Sequence, residues 1–269
     1  METEFDPPSP RIGSGASDDT SAMRLESLGK RFGDKTAVDR LHLSVPRSSF
    51  FGLVGPNGAG KTTTLSMAVG LLRPDSGSAH ILGADVWQDP VRAKELVGVL
   101  PDGMAMPERL TGRELLTYTG LLRGIDSGTV AQRTEELLDV LELTEAGRTL
   151  VVDYSAGMRK KIGLAAAMLH GPKLLVLDEP FEAVDPVSAG TIRRILQRFV
   201  TAGNAVVFSS HVMALVEQLC DQVAVIASGR VIASGPLDEV RAGTSLEDAF
   251  VHLVGGRTGG GEGLSWLAS

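Results

Sequence analysis

Residues 55–63 have the sequence Gly-Pro-Asn-Gly-Ala-Gly-Lys-Thr-Thr, which matches the phosphate-binding pattern G-x-x-x-x-G-K-[ST]. The residues before this stretch, 49–54, are mostly apolar and predict a buried strand, and residues 63–72 after it predict a helix. The pattern requires a strand, a glycine-rich loop and a helix in that order. The stretch therefore predicts an α/β fold in which this loop binds nucleotide phosphates.

The residues of this loop have different roles in phosphate binding. Glycines allow backbone angles that turn successive N–H groups toward phosphate oxygens, and the helix N-terminus adds unpaired donors and partial positive charge. Lys61 can reach the β- and γ-phosphates, and the hydroxyl of Thr62 can bind Mg²⁺. The nucleotide-binding residues predicted in this stretch are Gly55, Asn57, Gly58, Gly60, Lys61, Thr62 and Thr63.

A second motif, further along the chain, ends in two carboxylates. Residues 174–177 are Leu-Leu-Val-Leu, which predicts a buried strand, and Asp178 and Glu179 follow it. Ligands of α/β proteins bind at the carboxyl ends of the strands. Asp178 is therefore predicted to bind Mg²⁺, and Glu179 to activate the attacking water as general base. For this pair taken alone, an acidic surface turn that caps a helix is the alternative.

Composition limits the classes of protein to which the chain can belong. Hydrophobic residues make up 43% of the 269 residues, which is enough for a sizeable core. The single cysteine, Cys220, excludes a disulfide framework and a cysteine-cluster metal site, and it is predicted to be a small core residue. The net charge of −7 argues against a nucleic-acid partner bound by bulk electrostatics.

Three regions differ in their sequence patterns. Residues 1–22 are rich in Pro, Ser, Gly and Asp and predict a disordered tail, and residues 255–269 begin with a glycine-rich run and predict a flexible tail. Residues 23–254 predict one domain in which strands and helices alternate. Residues from about 103 to 170 are mainly helical and open with a capping box at 111–114, which predicts a helical subdomain inserted into the core.

The apolar runs of the chain bear on its location. Each is interrupted by Gly, Pro or a charged residue well before the ~18 residues that a membrane-spanning helix needs. No signal-peptide pattern is present, and there is one thiol. These features predict a cytoplasmic protein.

Residues 154–158, Tyr-Ser-Ala-Gly-Met, open a predicted helix about twenty residues before the acidic strand. A serine hydroxyl at a helix N-terminus is a suitable γ-phosphate ligand, although Ser155 can equally be only the helix N-cap. Here the chain resembles the ATP-binding subunit of ABC transporters, whose signature at this place is Leu-Ser-Gly-Gly-Gln. Ser155 and Gly157 match this signature, and the other three residues depart from it.

Further residues fall in the order of this family. Phe32 lies where the family has an aromatic ring that stacks on adenine. Asp185 matches the loop that contacts the opposite subunit, and His211 matches the histidine that senses the γ-phosphate. Asp102 lies where the family carries a glutamine that contacts Mg²⁺ and the attacking water. Because Asp102 is shorter and charged, it is expected to reach the ion through water.

The resemblance covers residues 23–253 and implies a RecA-like P-loop NTPase core with an inserted helical subdomain and an antiparallel β edge. It implies that ATP and Mg²⁺ bind in a head-to-tail dimer with a second ATP-binding subunit, identical or different. Each ATP would lie between the Lys61 loop of one subunit and the Ser155 helix of the other. Glu179 and His211 would be the catalytic residues.

The resemblance also implies a membrane permease as the separate partner, with this chain peripheral on the cytoplasmic face. Residues 245–250 resemble the C-terminus of exporter-type members, and an importer subunit is the alternative.

A free-standing soluble ABC-type ATPase that acts on a non-membrane partner would normally have two nucleotide domains or a long coiled coil. A GTPase or small-molecule kinase would need an Asn-Lys-x-Asp base reader or a substrate lid, and neither is found.

Overall fold

The computed structural model describes residues 21–103 and 105–254. Of the predicted tails, 1–22 and 255–269, residues 1–20 and 255–269 lie outside this part of the chain. The strands of the described residues are β1 (Ser21–Phe32), β2 (Lys35–Pro46), β3 (Phe50–Val54), β4 (Ser76–Ile81), β5 (Ala84–Asp85), β6 (Val97–Leu100), β7 (Leu174–Leu177), β8 (Ala205–Ser210), β9 (Gln222–Ala227) and β10 (Arg230–Pro236).

The helices of the same residues lie mostly in the second half of the chain. They are α1 (Lys61–Ala68), α2 (Pro90–Leu96), α3 (Gly112–Leu122), α4 (Ser127–Val140), α5 (Ala156–Met168), α6 (Pro186–Thr201), α7 (Met213–Leu219), α8 (Leu237–Arg241) and α9 (Leu246–Val254). Two short 3₁₀ segments, Glu145–Arg148 and Val151–Asp153, precede α5. None of the helices in the described part of the chain is both long and apolar enough to cross a bilayer.

The strands form two sheets. The core sheet has the order β10-β9-β3-β8-β7-β6, in which β9, β3, β8, β7 and β6 are parallel and β10 is antiparallel to β9. The second sheet, in the order β2-β1-β4-β5, is antiparallel throughout. The predicted α/β class is confirmed, but most of the antiparallel strands form a sheet of their own rather than an edge of the core sheet.

The core sheet is buried on both faces. Phe51 and Leu53 of β3 pack with the antiparallel sheet and α1, whereas Phe50 and Val54 of the same strand pack among the helices. Successive side chains of a strand point to opposite faces, so β3 must be apolar at every position. This explains why its sequence shows a continuous apolar run rather than an alternation.

The first strand begins earlier than the sequence pattern indicates. Ser21 and Ala22 were assigned to the tail of residues 1–22, but both lie in β1, where Ala22 is 1% exposed and its carbonyl accepts from Leu82 N–H. The pairing of Ser21 with Pro46 at the end of β2 extends the strand. A small apolar residue beside serine carries no periodic signal, so only the long-range pairing reveals this start.

The capping box predicted at 111–114 is present. Thr111 accepts from Glu114 N–H, and the Glu114 carboxylate accepts from Thr111 N–H at 2.8 Å, so the N-terminus of α3 is closed by its own side chains. Helices α3, α4 and α5 lie in the chain between β6 and β7.

A tight turn between β9 and β10 packs against the glycine-rich loop. Ser228 and Gly229 both have positive φ angles, 48° and 76°, as a two-residue hairpin turn requires. Gly229 N–H donates to Ala59 O at 2.9 Å, and Gly229 O accepts from Asp39 N–H at 3.0 Å. The turn therefore ties the loop after β3 to strand β2.

Candidate nucleotide-binding site

A cleft of about 430 Å³ lies at the carboxyl ends of the core strands. The loops that follow β3, β6, β7 and β8 all contribute to it, as expected for ligand sites of parallel sheets. Its lining residues are Phe32, Lys35, Ala37, Asn57, Gly58, Gly60, Lys61, Thr62, Thr63, Asp102, Glu179, Glu182 and His211. A larger pocket, of about 530 Å³, lies beside Arg40 and Arg230 and contains none of the predicted site residues.

The glycine-rich loop has the conformation that its composition predicts. Gly58 and Gly60 have φ angles of 79° and 106°, which favour glycine, and a Cβ at Gly60 would lie 2.5 Å from Ala37 O. Gly60 is the N-cap of α1, so no side chain caps this helix, and its first turn carries no acidic residue. The N–H groups and partial positive charge of α1 are therefore available to an anion, and the cradle fits a phosphate group.

Lys61 lies at the base of this loop and is only 7% exposed. Its Nζ donates to Gly55 O at 2.7 Å and lies 3.8 Å from Oε1 of Glu179. The carbonyl oxygen of Gly55 therefore holds the Lys61 ammonium, although Gly55 itself does not line the cleft. The buried ammonium stands between the loop and the predicted general base.

Asp178 lies behind the cleft, 4% exposed, and is held by a residue that the sequence analysis missed. Ser209 Oγ donates to Asp178 Oδ1 at 2.5 Å and accepts from Glu179 N–H at 2.9 Å. In the parallel register Leu177 pairs with Phe208, which brings Asp178 and Ser209 side by side. In the sequence, only the position of Ser209 two residues before His211 indicates a role at the site. That position identifies Asp178 as its neighbour only once the register of β7 and β8 is known.

Glu179 and His211 contact each other at this edge of the sheet. His211 Nδ1 lies 3.1 Å from Glu179 Oε2, and the Glu179 side chain is 12% exposed. Glu179 has a φ of 46°, an uncommon value for a residue with a side chain, which persists where the surroundings hold it. An isolated acidic surface turn would not have these partners.

Asp102 lines the same cleft and has a partner from α5. Lys160 Nζ of α5 lies 3.4 Å from Asp102 Oδ1 and donates to Glu179 O at 2.8 Å. Nothing in the sequence distinguishes Lys160, because a run of basic residues such as 159–161 is typical of a solvated helix face. The phase of α5 decides which of the three contacts Asp102 and Glu179.

Phe32 ends β1 at the mouth of the cleft and is 51% exposed. The Lys30 ammonium lies 5.7 Å from its ring centroid. Lys35 and Ala37 of β2, which the sequence analysis did not identify, line the cleft beside it. An exposed ring at this place can stack on a planar base.

Ser155, Gly157 and Asp185 do not line the cleft of their own chain. Ser155 is the N-cap of α5, where its Oγ accepts from Met158 N–H at 3.2 Å. A Cβ added at Gly157 would lie 2.9 Å from Asp185 Oδ2, so the N-termini of α5 and α6 adjoin. The three residues form one surface, on which Ser155 and Asp185 are exposed.

Asp185 is itself the N-cap of α6. Its Oδ1 accepts from Ser188 N–H at 2.9 Å and from Val187 N–H at 3.0 Å. These hydrogen bonds, those with Ser188 above all, hold the pKa of the Asp185 carboxyl below its usual value. The carboxylate therefore remains charged on this surface.

Known proteins resemble the chain over most of its length. A family model described as ABC transporter matches residues 38–182. Linearmycin resistance ATP-binding protein LnrL of Bacillus subtilis (strain 168) is 36% identical over 213 residues, which are 79% of this chain and 68% of that protein. Nod factor export ATP-binding protein I of Ralstonia nicotianae is 37% identical over 234 residues, 87% of this chain and 71% of that protein.

A solved structure is similar as well. The structure of an ATP-binding subunit of an ABC transporter superposes with a TM-score of 0.81 at 27% sequence identity. The superposition covers 87% of this chain and 100% of the other.

Proposed function

The chain belongs to the ABC transporter family, as an ATP-binding and ATP-hydrolysing subunit, and we propose that hydrolysis takes place between its Lys61 loop and Glu179. One observation carries this assignment. The carboxylate of Glu179 lies between His211 Nδ1 at 3.1 Å and Lys61 Nζ at 3.8 Å, in the cleft that the glycine-rich loop lines. A base, a cation and a phosphate cradle thus meet in one place.

In this proposal the loop binds the phosphates of ATP. The N–H groups of the loop and of the α1 N-terminus point toward the phosphate oxygens, and Lys61 turns its ammonium from the Gly55 carbonyl to the β- and γ-phosphates. Phe32 would stack on the adenine ring. The residues that line the cleft therefore divide into a phosphate end and a base end.

The oxygen atoms of Thr62 and Asp178 suit Mg²⁺, a cation that prefers oxygen ligands and keeps several waters. Within residues 21–103 and 105–254 no cluster of three or more His, Cys, Asp or Glu could hold a metal ion. The protein would therefore share the ion with nucleotide phosphates, and Asp102 would reach it through water. When bound, Mg²⁺ would neutralise negative charge on the β- and γ-phosphates.

Glu179 would accept the proton of the attacking water. The hydrogen bond from His211 and the contacts of its own main chain fix the carboxylate before the nucleotide binds. Positioning of this kind lowers the barrier because the base does not have to be reoriented during reaction.

A second ATP-binding subunit, identical or different, would complete the site. Ser155 and Asp185 are exposed, with the buried Gly157 beside Asp185, and none of the three lines the cleft of their own chain. An N-terminal helix end with an exposed serine is suited to a γ-phosphate that another subunit holds. ATP binding would then close the dimer and hydrolysis would open it.

The subunit drives substrate transport through a separate permease, and we infer that the direction is export. The relatives named for linearmycin resistance and for Nod factor export support this direction. The chain would then lie on the cytoplasmic face of the membrane, where ATP is available.

Affinity purification of the chain from detergent-solubilised native membranes, with ATP and Mg²⁺ present, tests the partnership. The expected result is a stoichiometric partner with several membrane-spanning helices, identified by mass spectrometry. A soluble partner alone would contradict the transporter assignment and favour an ATPase that acts outside the membrane.

A further inference from the structure

Both main-chain polar groups of Glu179 are held by side chains from other elements. Its N–H donates to Ser209 Oγ of β8 at 2.9 Å, and its carbonyl accepts from Lys160 Nζ of α5 at 2.8 Å. With a φ of 46°, this residue needs such support to keep its conformation. Glu182 N–H donates to the same carbonyl at 3.2 Å, so Lys160 supplies the shorter of two hydrogen bonds and the one that comes from α5.

Lys160 differs from its two basic neighbours in contacting two residues that line the cleft, Asp102 and Glu179. Arg159 donates to the carbonyls of Val152 and Tyr154, at 2.8 and 3.2 Å. Lys161 is buried, with its Nζ 3.5 Å from Glu142 Oε2. The Lys160 side chain is 17% exposed, so its ammonium has lost much of its water and depends on protein partners.

The second partner of Lys160 is Asp102, whose carboxylate lines a cleft suited to phosphates. The Asp102 carboxylate and the phosphates of a bound nucleotide are both negative, so they repel each other, and this repulsion opposes nucleotide binding. Lys160 Nζ lies 3.4 Å from Asp102 Oδ1 and offsets that charge. A glutamine at position 102 would not need such a partner.

We propose that Lys160 is a positioning residue with two separable roles: it fixes the main chain of Glu179 and it neutralises Asp102. This inference rests on the proposed function. Through Lys160, the helix that begins beside Ser155 is joined directly to the general base and to the loop after β6. The first role acts on the rate of hydrolysis, and the second acts on nucleotide affinity.

The experiment measures kcat and KM for ATP in wild type, Lys160→Gln, and the double variant Lys160→Gln with Asp102→Gln. Lys160→Gln is expected to lower kcat on the order of tenfold or more, because the base is displaced. It should also raise KM roughly two- to fivefold, because the Asp102 charge is no longer paired. In the double variant KM is expected to return to the wild-type value while kcat stays low.

Two controls separate this role from a structural one. Lys160→Arg keeps a cation that can bond the Glu179 carbonyl, and it should retain most of the wild-type kcat. Lys173→Gln removes an exposed lysine just before β7, at the opposite end of the strand from the cleft, and should change neither constant. Thermal unfolding of every variant checks the fold, and if Lys160→Gln does not fold, Lys160→Met, which also removes the cation, replaces it with and without Asp102→Gln.

The outcomes are distinguishable. Wild-type values of kcat and KM in Lys160→Gln would overturn the inference, and recovery of kcat together with KM in the double variant would show that Lys160 acts only through Asp102. A wild-type protein that hydrolyses no ATP, alone or with its permease, would contradict the proposed function instead.

Discussion

His211 Nδ1 lies 3.1 Å from Glu179 Oε2, so the residue that follows β8 holds the carboxylate that follows β7. The two strands are neighbours in the core sheet, and their parallel register places both residues at the same edge. This contact ties the proposed base to the residue that would respond to the γ-phosphate. It also defines the first variant to make.

Glu179→Gln is expected to abolish turnover, by a factor on the order of 10² to 10⁴, because the amide cannot accept the proton of water. ATP binding should remain, and an ATP-bound dimer should accumulate. Phosphate release and size-exclusion chromatography with ATP measure these effects. Glu239→Gln, at an exposed position of α8, is the matched control, and a normal rate in Glu179→Gln would mean that the assignment of the base is wrong.

Ser209→Ala should lower both stability and turnover. Ser209 is fully buried, and its loss leaves Asp178 Oδ1 and Glu179 N–H without their shared partner. Unsatisfied buried groups cost about 1–3 kcal/mol each, which urea unfolding would detect. Ser210→Ala is the control from the same strand, since that hydroxyl contacts only the main chain of Val212. Equal kcat values in the two variants would contradict a positioning role for Ser209.

Ala156→Gly is expected to preserve or raise activity, because it restores the glycine that the family signature has at this position. Ala156 is the exposed first residue of α5, and the substitution costs at most about 0.5–1 kcal/mol of stability. ATPase rates with the assembled partners measure the effect. A collapse of activity with the fold intact would mean that Ala156 suits the geometry of its own partner.

Asp185→Ala should lower the midpoint of thermal unfolding, whereas Asp185→Asn should retain it, because asparagine is also a good N-cap. The pKa of Asp185 is lowered in the folded protein, mainly by the N–H of Ser188. Its stabilising contribution is therefore complete above the unfolded pKa of about 3.8 and is lost as the pH falls through the lower folded value. Equal stability of the alanine and asparagine variants at pH 7 would count against the cap.

His170 should make the protein less stable in acid. Burial, with the nearby Arg123 guanidinium, lowers the pKa of His170 from 6.5 to about 4. The unfolded chain takes up the proton first, so stability falls as the pH decreases from about 6.5 to about 4. Urea unfolding at pH 7 and pH 4.5 should show a smaller difference for His170→Gln than for wild type. The exposed His252→Gln is the control, and an unchanged pH difference in His170→Gln would refute the prediction.

The residues that the sequence predicted are those whose chemistry is local. The loop around Lys61 and the acids after β7 each follow an apolar run, so their place at the sheet edge follows from the order of strand and polar residue. His211 also ends such a run, but its role was predicted from the family resemblance. Ser209 and Lys160 act across elements that are 30 and 19 residues from Glu179. Their roles depend on strand register and helix phase, which no local pattern determines.

The antiparallel sheet was predicted incompletely for a related reason. Residues 41–45, Leu-His-Leu-Ser-Val, alternate between apolar and polar as a half-exposed strand does, but alternation does not specify which strands pair. The pairing of β1 with β4, far along the chain, removes these strands from the core sheet. The start of β1 at Ser21 became visible only through its partner Pro46.

The hydrogen bond between Gly229 and Ala59 makes the glycine-rich loop dependent on a segment synthesised much later. As the chain leaves the ribosome, the complete loop sequence appears long before the turn that supports it. Such a long-range contact forms late in folding, since the intervening chain must be ordered first. A nascent or refolding chain is therefore expected to bind nucleotide fully only after the turn at 228–229 has packed against the loop.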